Sequence, residues 1–248
     1  MSDLLLEKAA VSFRSEQGAD SNEPMRLKSL LQKLNVVTVF APLSNNFSGM
    51  ALKVNLSKKI DRFMLVNTQQ SLGKQHFTIC HELYHLFIQA NFTSQVCQTA
   101  LFDKKADVEE YNADIFASHL LLPTDGLIKY IPDEELSRKK ITLPTILKIE
   151  HLYSCSRRAL LYRLKKLKFI NERQYEEWFK NVKRSAVEYG FQTDLYEPGN
   201  HNTVIGDYGL LAKELYDKEK ISESHYYSLL SDLGIDLTKI DDTANGEF

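Results

Sequence analysis

The stretch that most constrains the fold of this chain is an apolar run interrupted by two histidines and a glutamate. It reads Phe77-Thr78-Ile79-Cys80-His81-Glu82-Leu83-Tyr84-His85-Leu86-Phe87-Ile88. The composition of the run predicts a helix with little room for a polar face. Buried imidazole and carboxylate groups cost free energy unless they find partners. The fold must therefore bring partner groups to His81, Glu82 and His85.

The spacing of these three residues is typical of a metal site. Residues four apart lie on one helix face, with Cβ atoms about 5–6 Å apart, so His81 and His85 can bind one tetrahedral ion. Glu82 can then accept a proton from the attacking water. The same pattern occurs by chance, and a surface helix could carry it, but the apolar flanks argue against a surface helix. We interpret His81 and His85 as metal ligands and Glu82 as the catalytic base.

A second predicted helix, residues 107–122, offers the third ligand that a catalytic zinc ion usually takes. Its acidic residues are Asp107, Glu109, Glu110 and Asp114. We favour Glu110 as the ligand, because its face continues through two alanines that allow close approach to another helix. Asp114 on the same face would accept a hydrogen bond from a ligand histidine. Glu109 stays open as the alternative ligand. A solvated first turn without a metal role would explain the acids Asp107 and Glu109, which the helix dipole favours, but not Asp114 in the middle of the helix.

Together the two helices resemble those of the ImmA/IrrE family of metallo-endopeptidases. That family pairs F-T-x-x-H-E-x-x-H with a later E-x-x-A-(N/D)-x-F-A-x-x-L-L-x-P, and the matching stretches here are Phe77–His85 and Glu110–Pro123. The resemblance covers about residues 5–130. It departs from the family pattern at Tyr84, where Gly is common, and at His76, where Arg is common. Position 84 is not a ligand position, so neither departure removes the metal chemistry. We expect the large side chain of Tyr84 to alter packing or substrate access.

The resemblance implies a zinc-dependent endopeptidase in which two histidines and one glutamate hold Zn²⁺ and Glu82 acts as general base. Another divalent transition metal is the alternative cofactor. The implied substrate is a specific intracellular protein. Our hypothesis for that protein is a helix-turn-helix transcriptional repressor, which would make the cleavage regulatory. The oligomeric state is not predicted.

The pattern of elements predicts an α+β fold. A zincin-like peptidase core, in which a small antiparallel sheet packs on the two site helices, is followed by an all-α C-terminal region. Three β-rich runs, residues 36–40, 47–54 and 62–67, are separated by turn-like segments that suit hairpins. We expect the run 47–54 to form the sheet edge that takes an extended substrate.

Three domains are predicted along the chain. They are a metallopeptidase domain at 1–130, a helical, helix-turn-helix-like subdomain at 131–187, and a C-terminal helical region at 188–248.

Residues 138–168 support a rival function. They form two predicted helices with a short turn, and hold ten Lys or Arg against one acid, Glu150. A basic helix pair of this kind resembles a DNA-binding helix-turn-helix. The alternative is therefore a DNA-binding regulator with a structural or vestigial metal site. A basic surface that packs on the peptidase or docks a protein partner explains the same residues, and we prefer it to a nucleic-acid partner.

Composition and simple sequence patterns limit the classes of protein to which this chain can belong. The 248 residues are 43% hydrophobic with a formal net charge of −2, which is ordinary for a globular protein and unlike a strongly basic nucleic-acid binder. No apolar stretch approaches 18 residues, so we expect no membrane span. The N-terminus has no secretory pattern, and Cys80, Cys97 and Cys155 are widely spaced and odd in number, which predicts free thiols in the cytoplasm. We expect Cys80 to be a small buried residue.

Overall fold

The structure is a computed structural model that describes residues 1–56, 59–97 and 107–235, and every structural statement refers to these ranges. The strands found there are β1 (Val36–Ala41), β2 (Gly49–Leu56), β3 (Lys59–Asn67), β4 (Ser94–Cys97) and β5 (Val204–Ile205). The helices are α1 (Asp3–Glu16), α2 (Leu27–Lys33), α3 (Leu72–Phe87), α4 (Val108–Leu121), α5 (Thr124–Tyr130), α6 (Asp133–Arg138), α7 (Leu143–Tyr153), α8 (Arg157–Lys166), α9 (Glu172–Trp178), α10 (Val182–Glu188), α11 (Tyr208–Asp217) and α12 (Glu223–Asp232).

These elements confirm the predicted α+β fold, with one sheet in the order β4-β2-β3-β1-β5. The sheet is mixed rather than antiparallel throughout, because β1 runs parallel to β3 in the register Val36↔Arg62. Strands β2 and β3 form the predicted hairpin, with Gly49 opposite Val66. The strand β5 pairs antiparallel with β1, so the C-terminal region is not wholly helical.

The segment after β1 is a crossing loop and not a hairpin, and Asn67 explains why. The Asn67 side chain accepts a hydrogen bond from Leu43 N at 3.0 Å and donates to Ser44 O at 2.9 Å and Phe47 O at 2.6 Å. These bonds hold the loop across the end of β3, the strand that lies between β1 and β2 in the sheet. The Asn67 amide thus gives these backbone groups the hydrogen bonds that a neighbouring strand would otherwise provide.

The strand β2 is not an edge of the sheet, so the prediction that residues 47–54 form the free edge is wrong. The strand β4, which follows α3, pairs antiparallel with β2 from Gly49↔Cys97 to Leu52↔Ser94. Four residues are too short for a clear alternating pattern, so the sequence carried little signal for this strand.

The helix α3 is the centre of the fold. Twelve of its 16 residues are buried, which confirms the predicted buried helix. It packs against both the sheet and α4, and α1 also packs against α4. Phe13 of α1 contacts both Phe87 and Phe116, with ring centroids 5.7 and 6.0 Å apart, so the aromatic core joins all three helices.

The pair α7 and α8 docks directly on the start of α3. A Cβ atom at Gly73 would lie 2.8 Å from Ser156 N, so only glycine allows this approach. The His76 Nδ1 atom lies 2.7 Å from Ser154 O in the same turn. The basic helix pair therefore packs on the core, and the predicted domain boundaries stay predictions.

Among the helices of the described ranges, none is both long enough and apolar enough to cross a bilayer.

Candidate metal centre

Three side chains from α3 and α4 converge on one point. The His81 Nε2 and His85 Nε2 atoms lie 3.1 Å apart. The Glu110 Oε2 atom lies 3.3 Å from His81 Nε2, and its Oε1 atom lies 3.3 Å from His85 Nε2. Both imidazoles are fully buried, whereas the Glu110 side chain is 22% exposed, which leaves solvent access on that side. We call these three residues the ligand cluster.

The start of α4 places Glu110 in the cluster. Asp107 caps the helix, since its Oδ1 accepts hydrogen bonds from Glu109 N at 2.8 Å and Glu110 N at 3.2 Å. Ala113 and Ala117 of α4 are fully buried, as expected for a helix that approaches another closely. The two alanines and the cap together bring the first turn of α4 against α3.

The other ring nitrogen of each histidine has its own acceptor. His81 Nδ1 lies 2.9 Å from Asp114 Oδ1, and the Asp114 side chain is almost completely buried. His85 Nδ1 lies 2.5 Å from Gln89 Oε1. Because both partner atoms are oxygens that accept, each Nδ1 carries the proton and each Nε2 carries a lone pair.

The geometry of the ligand cluster fits a tetrahedral metal ion. Two imidazole Nε2 atoms and a carboxylate converge at 3.1–3.3 Å, an arrangement that a shared cation would stabilise. Zinc–ligand bonds of about 2.0–2.1 Å in a tetrahedron place neighbouring ligand atoms about 3.3 Å apart. His81, His85 and Glu110 are also the set of potential metal-binding side chains found in the described residues. The donor set therefore matches zinc in type, number and spacing.

The Glu110 carboxyl is ionised at neutral pH. Burial by itself would raise its pKa, but the adjacent His81 and His85 outweigh burial and lower the pKa to about 2. An ionised carboxylate is the form that binds a cation.

Glu82 lies between α3 and β2. Its side chain is fully buried, and a Cβ atom at Gly49 would lie only 2.8 Å from Glu82 Oε1 and 2.6 Å from Thr78 Cγ2. Glycine at position 49 therefore leaves the space that the Glu82 carboxylate fills. The role of Glu82 as catalytic base stays a prediction.

The alternative ligand Glu109 points elsewhere. Its Oε2 atom accepts a hydrogen bond from Tyr84 Oη at 2.7 Å, so it links α3 to α4 outside the ligand cluster. Tyr84 is almost completely buried and packs against Phe116, with ring centroids 5.7 Å apart. The tyrosine that departs from the family pattern thus fills the core.

Two contacts of His85 were missed by sequence reasoning. Gln89 lies four residues after His85, so the i,i+4 rule for helices could have found it. Phe92 lies beyond the helix, and its ring stacks on the His85 imidazole at 5.2 Å between centroids and 27° between planes. No periodic signal in the sequence connects a residue in that segment with the metal helix.

By residue type His76, His119 and Tyr111 could stabilise an oxyanion, but each has a structural partner. His76 binds the Ser154 carbonyl, and His119 Nδ1 lies 2.9 Å from Arg163 Nη2. The Tyr111 hydroxyl donates to a carboxylate of α1. Each of these contacts stabilises the packing of one helix against another.

Cys80 is a small buried residue, as predicted. Burial raises the pKa of its thiol to about 12, so the group stays protonated and unreactive. Cys155 is also free and buried. The side chain of Cys97 lies outside the described residues.

The basic helix pair is partly internal. Arg157 Nε lies 2.5 Å from Glu150 Oε2, and Arg157 Nη1 donates to Trp178 O at 3.0 Å. Arg163 donates to Leu122 O and to Thr124 Oγ1. Both arginines are buried, so two of the ten cations in this stretch stabilise the packing of α8 and are unavailable to a nucleic acid.

A family model matches residues 31–165, which is more than half of the chain. The model is that of Peptidase_M78, described as the IrrE N-terminal-like domain. The match includes β1 to β3, both helices of the ligand cluster and the α7–α8 pair. No curated protein matches the chain.

Proposed function

The chain belongs to the Peptidase_M78 family of the IrrE N-terminal-like domain, and from this premise we propose that it is a zinc-dependent endopeptidase that cleaves a specific protein. The observation that carries the proposal is the convergence of two Nε2 lone pairs and an ionised carboxylate beside the buried Glu82. A cation bound among these atoms would stabilise the arrangement. The adjacent Glu82 could then act as general base for a water molecule that the cation activates.

In the proposed reaction His81, His85 and Glu110 hold the ion. When bound, zinc polarises the scissile carbonyl and lowers the pKa of water to about 7. Glu82 accepts a proton from the attacking water and donates it to the leaving amine. Asp114 and Gln89 hold the Nδ1–H of the two histidines, so that each Nε2 stays an acceptor.

A peptidase of this family acts on a protein, and we infer that the substrate is a helix-turn-helix repressor. Support for this substrate is the resemblance of the two site helices to ImmA/IrrE peptidases. The free thiols of Cys80 and Cys155 support a reaction in the cytoplasm. Addition of an extended substrate to β2 is not part of the proposal, because β4 already pairs with that strand.

The experiment is metal analysis of the purified protein, followed by incubation with the repressor encoded beside it. Mass spectrometry of the products detects cleavage. Glu82→Gln keeps the ligand cluster and removes the base, so we expect zinc to remain bound and cleavage to be lost. Cleavage by Glu82→Gln at the rate of the unchanged protein would show that the proposed reaction is wrong. Inactivity toward casein would not, since a narrow specificity is part of the proposal.

The DNA-binding alternative gains no support from the contacts of α8. A recognition helix presents its side chains to the major groove, whereas six of the ten residues in α8 are buried.

A further inference from the structure

Two residues beyond α3 hold His85 from different directions. Gln89 Oε1 lies 2.5 Å from His85 Nδ1, where a hydrogen bond fixes the tautomer. Phe92 stacks on the imidazole face at 5.2 Å between centroids. We propose that Gln89 is a positioning residue for zinc, which keeps the proton of His85 on Nδ1, and that Phe92 fixes the plane of the ring. This inference rests on the proposed function.

The two ligand histidines are held by different means. The partner of His81 is Asp114, a charged residue on α4, the helix that also supplies Glu110. The partner of His85 is a neutral amide in the turn that follows α3. Gln89 is only four residues from His85 in the chain, so this hydrogen bond is local and does not depend on the docking of α4.

The tautomer decides whether His85 can bind a metal. With its proton on Nε2, His85 would donate a hydrogen bond to Glu110, whose Oε1 atom lies 3.3 Å away. That hydrogen bond would occupy both groups and leave no lone pair for the ion. An acceptor at Nδ1 prevents this, since the nitrogen that carries the proton is set by the hydrogen bond of the other.

Phe92 limits the rotation of the imidazole. It is buried, and its ring plane is tilted only 27° from that of His85. Two residues later Ser94 begins β4 and pairs with Leu52 of β2. The sheet thus anchors the segment that carries Phe92, and a turn of the His85 ring would have to displace a stacked aromatic side chain.

Two substitutions, Gln89→Met and Gln89→Glu, test the hydrogen-bond acceptor separately from the size of the side chain. Methionine keeps the length and removes the acceptor, whereas glutamate keeps an oxygen that can only accept. We expect Gln89→Met to weaken zinc binding by about 10–100-fold and Gln89→Glu to bind as tightly as the unchanged protein. The dissociation constant is measured by competition with a chromophoric chelator. Gln32→Met, an exposed substitution in α2, is the matched control and should change nothing.

A second readout reports the tautomer directly. Nitrogen-15 NMR of the metal-free protein shows which nitrogen of His85 carries the proton. We expect Nδ1 in the unchanged protein and in Gln89→Glu, and a shift toward Nε2 in Gln89→Met. A side chain that only supports the helix would not change this spectrum.

The outcomes are distinct. An unchanged protein that binds no zinc contradicts the proposed function, and the chelator titration shows this without any variant. If the unchanged protein binds zinc, a Gln89→Met protein with the same dissociation constant and the same His85 tautomer overturns the role of Gln89. Should Gln89→Met fail to fold, Gln89→Asn tests the same contact, because the shorter amide cannot reach Nδ1.

Discussion

The molecule has two buried polar clusters with opposite character. In the ligand cluster of α3 and α4, three groups that accept converge, with Nε2 atoms 3.1 Å apart. In the second cluster, which consists of Glu150 and Arg157, a guanidinium lies 2.5 Å from a carboxylate. The second cluster pairs one cation with one anion, whereas the first brings together two imidazoles and a carboxylate at the spacing of metal ligands. Burial of polar groups is common to both, so the type and spacing of the converging atoms are what mark the ligand cluster as a site.

The largest expected effect is the loss of zinc binding when one residue of the ligand cluster is replaced. His81→Ala removes a zinc ligand, so we expect loss of both zinc binding and peptide cleavage. At a free zinc concentration a thousand times its dissociation constant, zinc stabilises a folded protein by about 4 kcal/mol. This stabilisation should be absent from His81→Ala when urea unfolding is compared with and without zinc. A variant that zinc still stabilises equally would contradict the assigned ligand.

Loss of one ion-pair partner should affect stability alone. Arg157→Met leaves Glu150 buried without its counter-charge, and such changes destabilise proteins by about 3–5 kcal/mol. The free energy of unfolding measures this loss, and the zinc dissociation constant should not change. Replacement of both Arg157 and Glu150 by methionine should restore most of the stability, since no buried charge is then left. A double variant as unstable as Arg157→Met would show that the pair stabilises the protein by more than the neutralisation of its two buried charges.

The carboxylate that orients His81 should have an intermediate effect. Asp114→Ala removes the acceptor at Nδ1, and the loss of such a partner typically weakens metal binding by about 10–100-fold. Competition with a chelator measures the change in the dissociation constant. Glu109→Ala is the control, because Glu109 binds Tyr84 and not a ligand histidine. An Asp114→Ala protein with unchanged affinity would remove Asp114 from the metal centre.

The smallest expected effect is a dependence of stability on pH outside the ligand cluster. Burial and the neighbouring Arg163 lower the pKa of His119 from 6.5 to about 4, although Glu7 acts in the opposite direction. The unfolded chain therefore binds more protons than the folded one between these pH values. The stability associated with neutral His119 is present above pH 6.5 and is lost as the pH falls toward 4. Urea unfolding at pH 7 and pH 5 should show a smaller difference for His119→Gln than for the unchanged protein.

The metal helix and its partner helix were predictable because each has a strong local signal. His81 and His85 follow the helical spacing, Asp107 is a helix cap, and Ala113 and Ala117 mark a face of close approach. The order of the strands was not predictable in the same way. It involves a loop that the Asn67 side chain holds across the end of β3, and a strand, β4, that is only four residues long. Neither feature has a periodic signal in the sequence.

The amino-acid sequence by itself indicated the family, through the resemblance of its two motifs to the family pattern. It also indicated the candidate chemistry, because helical spacing places His81 and His85 on one face with Glu82 next to them in the chain. Only the tertiary structure decided which acid joins them. Glu110 and Glu109 are neighbours in the chain, and the docking angle of α4 directs one to the histidines and the other to Tyr84. It also decided that the basic pair α7–α8 is packed, because the close approach of Gly73 to Ser156 joins segments about 80 residues apart in the chain.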